Sequence, residues 1–311
     1  MPEVVTAGEA MVLLLPPGPG YLRHHAHLEV RVGGAEANTA VGLARLGFRV
    51  GFLTRLGQDE LGELVLSRLR AEGVEVWARR TEAPTGLYLR ERLPGGRGRV
   101  HYYRQGSAAS LLSPEDLETS HLKGAKVLHL TGITPALSPT ARIFVLSALK
   151  AAKELGLAVS LDVNYRKKLW GASEARSFLE EILPMVDILF LSEEDGRLWP
   201  LKGPDLLAAL ATLGPREVIL KRGKEGSLGL IQDNLLEAPS FRVEEVDPVG
   251  AGDAFNAGYL AGLLWGLPPE ERLRLGNALG ALAVTVLGDY EGAPSKEELL
   301  DFLQSERGLD R

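Results

Sequence analysis

The stretch Asp247-Pro248-Val249-Gly250-Ala251-Gly252-Asp253-Ala254-Phe255 sets a carboxylate directly behind two glycines at the head of a long apolar run. Gly250 and Gly252 let the main chain come close to a ligand. A helix predicted from about Gly252 to Gly266 aims its unpaired amides at the same point. Such a turn stabilises an anion, and phosphate is the chemistry it fits. Asp253 works against that, because a carboxylate repels a phosphate beside it. The conflict resolves if Asp253 removes a proton from an attacking hydroxyl, although an Asp that merely caps a glycine-led helix satisfies the same spacing.

A second motif lies near the N-terminus: Gly33-Gly34-Ala35-Glu36-Ala37-Asn38, followed by a helical pattern with Ala37, Ala40, Val41 and Ala44 on one face. Gly33 and Gly34 let ligand hydroxyls reach main-chain groups, and Asn38 offers both a donor and an acceptor to a sugar. Alone this segment is a strand-to-helix turn. With Asp247–Phe255 it resembles the ribokinase (PfkB-type) carbohydrate kinases, whose C-terminal signature is Asp-Thr-x-Gly-Ala-Gly-Asp-x-Phe. The chain departs from it at Pro248, where Thr is usual, and keeps the Gly-Ala-Gly-Asp run. The resemblance extends over nearly the whole chain.

Between the motifs, apolar runs alternate with helical patterns. Val127–Leu130, Leu157–Leu161, Asp187–Leu191 and Glu217–Lys221 read as strands in βαβ rhythm, hence an α/β fold with a mostly parallel sheet covered by helices on both faces. The resemblance implies the ribokinase-like three-layer α/β/α form of that fold, with residues 1–311 as one domain. Ligands then sit beyond the strand C-termini. Residues 11–32 and 86–105 break the rhythm as extended strands, the second turning at Pro94–Gly98. In the family such strands form a small sheet over the sugar, and that sheet joins protomers, so a homo-oligomer through this lid is expected. The remainder from Gly252 through Leu287 reads as helical, with a last helix near Ser295–Gln304.

Composition narrows the classes. A hydrophobic content of 45% with a net charge of −6 fits a folded globular unit and argues against a nucleic-acid surface, so anions must be held by local cations. Without cysteine there is no thiol nucleophile, disulfide or cysteine zinc site. No basic-then-apolar leader or membrane-length apolar run is present, and a cytoplasmic location with no membrane partner is expected. His24-His25-Ala26-His27 has metal-binding residue types but no carboxylate at ligand spacing. Neither a Gly-x-Ser-x-Gly elbow nor a Walker Gly-Lys loop occurs.

The other candidates follow from the resemblance. Lys221-Arg222-Gly223-Lys224-Glu225-Gly226 supplies glycine and positive charge after a strand, matches the segment lining the family's ATP site, and would otherwise read as a plain hairpin. Asn277 falls on the helix bordering the adenine, and Asn164 also approaches ATP. Ser192-Glu193-Glu194-Asp195 stands where many members have Asn-x-x-Glu. Its Asp195 would act on magnesium through water, or simply be part of an acidic helical turn. A monovalent cation near the Asp247 loop is implied by resemblance alone. For the acceptor, Arg166 with Arg104, Tyr103 and Asp289 resembles the 2-keto-3-deoxygluconate kinases within the family. Tyr88 and Tyr102 add aromatic lid positions. A guanidinium grips a carboxylate in a fork that a neutral sugar does not need.

The expected activity is therefore ATP- and Mg2+-dependent phosphorylation of the primary hydroxyl of a keto-deoxy sugar acid. Asp253 is the base, and the amides of Gly250, Ala251 and Gly252 receive phosphoryl charge. Neutral sugars, sugar phosphates and nucleosides remain alternative acceptors. A dinucleotide-dependent oxidoreductase would need a Gly-x-Gly-x-x-Gly turn after the first strand, and a sugar-binding regulator would need no Asp253. Gluconate and galactonate forms of the acceptor are not separated by these residues.

Overall fold

The computed structural model describes residues 1–93 and 97–309. Its larger sheet runs in the order β13 (Asn234–Ala238), β12 (Ser227–Ile231), β11 (Glu217–Lys221), β10 (Ile188–Ser192), β9 (Ala158–Asp162), β8 (Val127–Thr131), β1 (Val4–Ala7), β4 (Val50–Gly57) and β5 (Glu75–Thr81). All pairs from β11 to β5 are parallel, while β12 and β13 add antiparallel. Central strands such as β8 are buried along their whole length, which is why they read as near-continuous apolar runs.

Helices cover both faces. On one lie α1 (Ala35–Arg45), α2 (Glu60–Ala71), α8 (Ala251–Leu264), α9 (Pro269–Ala283) and α10 (Lys296–Leu309). The other carries α3 (Thr119–Leu122), α4 (Pro139–Glu154), α5 (Ala172–Ile182) and α7 (Gly203–Ala211), and α6 (Glu193–Gly196) is one turn after β10. The stretch expected to be helical from Gly252 to Leu287 holds two helices: at Gly266, where the first was predicted to end, φ is 73° and Pro268 follows, so the chain leaves α8 and restarts as α9. No helix among the described residues is long and apolar enough to cross a membrane.

A second, four-stranded sheet has the order β3 (Glu29–Gly33), β2 (Met11–Leu15), β6 (Leu87–Leu93), β7 (Arg97–Tyr103), packed on Met11, Leu13, Leu15 and Tyr88. Residues 11–32 are not extended throughout. A 3-10 turn at Leu22–His24 interrupts them, with Leu22 N donating to Glu91 Oε1 at 3.0 Å. The turn expected at Pro94–Gly98 lies partly outside the described residues; Leu93 pairs with Arg97 across it.

α8 carries Asp253, and its position depends on a close crossing with α9. A Cβ on Gly258 would stand 2.7 Å from the Leu275 carbonyl oxygen, and one on Gly276 would stand 2.8 Å from the Phe255 ring. Beneath the crossing, Arg272 Nη1 lies 2.8 Å from Glu217 Oε1, and the Tyr259 hydroxyl donates to Glu217 Oε2 at 2.7 Å, fastening both helices to β11. Alanine propagates a helix better than glycine by about 1 kcal/mol. Gly258→Ala is nevertheless expected to destabilise by about 1–3 kcal/mol, because the clash meets backbone. Urea unfolding measures it, and a stabilised variant would contradict the packing argument.

Candidate active site

The parallel strands end together at one edge of the larger sheet, and polar side chains of the site follow those ends. Gly250 precedes α8 with φ 82°, and a Cβ there would collide with the Asp289 carbonyl, so the turn accepts only glycine. The first helical bond is Ala254 N to Gly250 O at 2.9 Å, which leaves the amides just before it free for an anion. Asp253, in the first turn, is buried and accepts from Asn38 Nδ2 at 2.8 Å. Burial pushes its carboxyl up to about 7. The Asn38 hydrogen bond opposes that, the Asp162 charge adds to it, and Lys221 and Arg166 offset part of it.

Around Asp253 the cations are paired. Lys221 Nζ lies 2.6 Å from Asp162 Oδ2 and 3.2 Å from Asn256 Oδ1, and Asn256 Nδ2 donates to the same Asp162 oxygen at 2.7 Å. Arg104 pairs with Glu9, which also accepts from Ser107 Oγ at 2.6 Å. Arg90 pairs with Asp247 and, at 3.1 Å, with Asp289. Arg166 is exposed and forms no ion pair among the described residues.

Two cavities open here. The first, about 410 Å³, is lined by Gly34, Asn38, Tyr88 and Tyr102, with Arg104, Arg166 and Asp289 around them and Asp253 and Gly250 at its base. Asn164, Ser192 and Asp195 also reach it. The second, about 670 Å³, is lined by Lys224, Glu225, Gly226, Ala251 and Asn277, with an apolar wall of Phe255, Ala281 and Val284. Lys221, Gly223, Pro248 and Gly252 border both, so the cavities meet at the glycine turn.

Three expected residues have surroundings that the sequence did not foretell. Tyr103 is 65% exposed and lines neither cavity, because successive residues of β7 face opposite sides and Tyr102 takes the inner side, stacked on Tyr88 at 5.7 Å. Arg222 also lines neither; it pairs with Glu237 at 2.5 Å across the hairpin. Asp195 closes a capping box: Oδ2 accepts from Ser192 N and Oγ, and Oδ1 from Tyr165 N at 2.8 Å. Its carboxylate is thereby occupied, while the neighbouring Glu194 lines the first cavity. His24, His25 and His27 belong to no metal-holding group of three His, Cys, Asp or Glu side chains among the described residues.

Asp162, Asn256, Arg90 and Glu9, which were not among the predicted site residues, are also buried there, as is Asp247 at the head of the quoted motif. Asp162 had a signal, a carboxylate closing the apolar run of β9. Glu36, in the glycine motif and the first turn of α1, is buried and accepts from Thr131 and Thr134 at 2.7 and 2.6 Å, and burial raises its carboxyl. Glu9 and Arg90 carried no sequence signal, because their partners are distant in the chain.

Residues 1–296 match the family described as pfkB family carbohydrate kinase. The 2-dehydro-3-deoxygluconokinase of Bacillus subtilis is 35% identical over 98% of this chain and 96% of its own. The 2-dehydro-3-deoxygalactonokinase of Haloferax volcanii is 36% identical over 99% of both. The solved 2-dehydro-3-deoxygluconokinase of Thermotoga maritima superposes with TM-score 0.91 at 30% identity, over 97% of this chain and 98% of that one. An Escherichia coli protein described as a candidate ribokinase II, in complex with ATP and Mg2+, superposes with TM-score 0.90 at 29% identity, over 98% and 100%.

The raised Asp253 carboxyl makes a stability prediction. Its folded value of about 7 exceeds the ordinary 3.8, so its contribution is intact below the lower value and is lost as pH rises through the higher. Asp253→Asn removes that loss. The variant is expected to be more stable than the parent by roughly 2–4 kcal/mol at pH 8, the gap closing towards pH 4. Denaturant unfolding across pH reads the difference, and an equal gap at both ends would mean that Asp253 ionises as an ordinary carboxylate.

Proposed function

The chain belongs to the pfkB family of carbohydrate kinases, and we propose that it moves the γ-phosphoryl group of ATP to the primary hydroxyl of a keto-deoxy sugar acid, 2-keto-3-deoxygluconate, giving the 6-phosphate. One observation carries the acceptor class. Of the four cations lining the first cavity, Arg90, Arg104 and Lys221 already form ion pairs, and Arg166 forms none among the described residues. An acceptor carboxylate completes that pairing; a neutral sugar leaves Arg166 without one.

In this reading the acceptor hydroxyl lies against Asp253, which takes its proton as the oxygen attacks phosphorus. Asn38 orients the carboxylate through its 2.8 Å hydrogen bond. A base near neutrality is well matched to the task and supplies about a hundredfold to ten-thousandfold. The amides at the head of α8 and the Lys221 ammonium face the join of the cavities, where charge on the transferring group is greatest. ATP fits the second cavity: Lys224 and Gly226 lie on the phosphate side, and Phe255, Ala281 and Val284 offer an apolar wall to the base. The donor set also suits Mg2+, since the buried Asp162 Oδ1 has no hydrogen-bond partner among the described residues and Glu194 lines the same cavity. These two would hold the ion, which keeps most of its waters. When bound, it neutralises phosphoryl charge. Tyr88 and Tyr102 bring the small sheet over the acceptor, a lid that excludes competing water. The outer face of that sheet, with Val30 and Tyr103 exposed, is where a second copy would dock.

An ADP-release assay against 2-keto-3-deoxygluconate, its galactonate epimer, ribose, fructose and adenosine tests the reading, and preference for a neutral acceptor would overturn it. Asp253→Ala should lower kcat by about a hundredfold or more while ATP still binds; equal loss of both would remove the base assignment. In the parent enzyme kcat/KM should fall about tenfold per pH unit below about 7, as Asp253 protonates. Arg166→Ala should raise KM for the acid by roughly 10–100-fold and leave a neutral sugar's KM unchanged.

A further inference from the structure

Arg90 belongs to β6 of the small sheet, yet its guanidinium is buried between carboxylates of the larger body, with 3% of its surface exposed. Nη2 pairs with Asp247 Oδ2, and Nη1 lies 3.1 Å from Asp289 Oδ1. Tyr88, two residues earlier on the same strand, donates to Asp289 Oδ2 at 2.6 Å. Both residues also meet the main chain near the glycine turn, Asp247 through its carboxylate and Asp289 through its backbone carbonyl. Asp247 accepts from Val249 N at 3.3 Å and Gly288 N at 3.1 Å. The Asp289 carbonyl stands against Gly250, where a Cβ would otherwise be. A single guanidinium therefore touches β6, the segment entering α8 and the segment at 288–289.

We propose that Arg90 is a positioning residue for phosphoryl transfer: it holds the Asp247–Gly250 turn, and with it the head of α8 that carries Asp253, at a fixed offset from the small sheet over the acceptor. The proposal rests on the kinase reading above. Without the guanidinium, two carboxylates face each other with no counter-charge, and both mutual repulsion and the drive to rehydrate push the 247 and 289 segments apart. Lysine cannot replace it fully, because an ammonium is a point charge and the planar fork spans two acceptors at once. Displacement of a reacting group by about an ångström costs on the order of a hundredfold in rate, so a loosened turn shows in turnover before it shows in binding.

The test uses Arg90→Met, Arg90→Ala and Arg90→Lys in the full chain. In Arg90→Met, kcat should fall by roughly a hundredfold, with KM for ATP and for the sugar acid changed by less than about threefold. Amide hydrogen exchange over residues 247–254, measured without substrates, should quicken while α4 keeps its parent rate. In Arg90→Ala, guanidinium ion well below denaturing concentration should restore part of kcat by occupying the vacated space, and should do nothing for Asp253→Ala. Parent-like kcat and exchange would overturn the proposal. So would a rise confined to the sugar KM, which would make Arg90 a direct substrate contact. If Met and Ala fail to fold, Arg90→Lys decides: lowered kcat at unchanged KM with local exchange supports the tie, and parent kcat refutes it. Failure of the kinase reading is a separate outcome, seen as a parent protein inactive on every sugar acid, and the exchange result stands without turnover.

Discussion

Charge brought out of water has to be answered, and at the carboxyl edge of the larger sheet that requirement organises nearly everything. Taking an ion from water into a protein interior costs several kcal/mol unless a partner is in place. Lys221 is answered by Asp162, Arg104 by Glu9, and Arg90 by Asp247 and Asp289. Asp253 meets the same demand differently: its side chain is hydrogen-bonded to the Asn38 amide rather than ion-paired, Lys221 and Arg166 offset only part of the cost of burial, and its carboxyl rises to about 7. The shortage of counter-charge that makes Asp253 costly to bury is what leaves it able to accept a proton near neutrality. Arg166 escapes the demand by remaining exposed, and is thus still available to an incoming anion.

Close backbone approach is the second constraint, and it acts through the first. The Asp289 carbonyl occupies the space beside Gly250, and the Asp289 carboxylate holds Tyr88 and Arg90 of the small sheet. One residue therefore sets both the shape of the anion turn and the seat of the sheet above it. Behind the turn, α8 is packed on α9 with no room for a side chain at Gly258, so the helix head has little freedom to drift.

Much of this was legible in the chain. β11 was read at its observed bounds, and Gly250, Gly252 and Asp253 stand together at a helix head because their signal is local: conformation, amide supply and charge within a few residues. Asp195 reads both as a magnesium contact through water and as part of an acidic helical turn, and Ser192-x-x-Asp195 is itself a capping pattern that engages the carboxylate. Tyr103 lies outside both cavities for a reason of register: on β7 one position decides the face, and adjacent tyrosines look alike in sequence. Arg104 and Arg90 are equivalent by composition, yet one finds Glu9 and the other Asp247 and Asp289, partners brought near only by the folded topology. Long-range pairing of this kind has no period or motif to announce it.

The two cavities divide the chain along its length. Every residue lining the second lies between Lys221 and Val284, whereas the acceptor side draws its distinguishing polar groups from Glu9 to Asp195 and, after the shared turn, from Asp289 alone. On the proposed reading, donor and acceptor recognition would lie in nearly separate blocks of the chain, joined at one loop. On that reading, substitutions in the first block that keep Arg90 can retune which hydroxyl compound is accepted without disturbing the nucleotide, and exchange of that block between relatives leaves the phosphate turn intact only where that guanidinium is kept. A lineage built this way can change diet while keeping its engine.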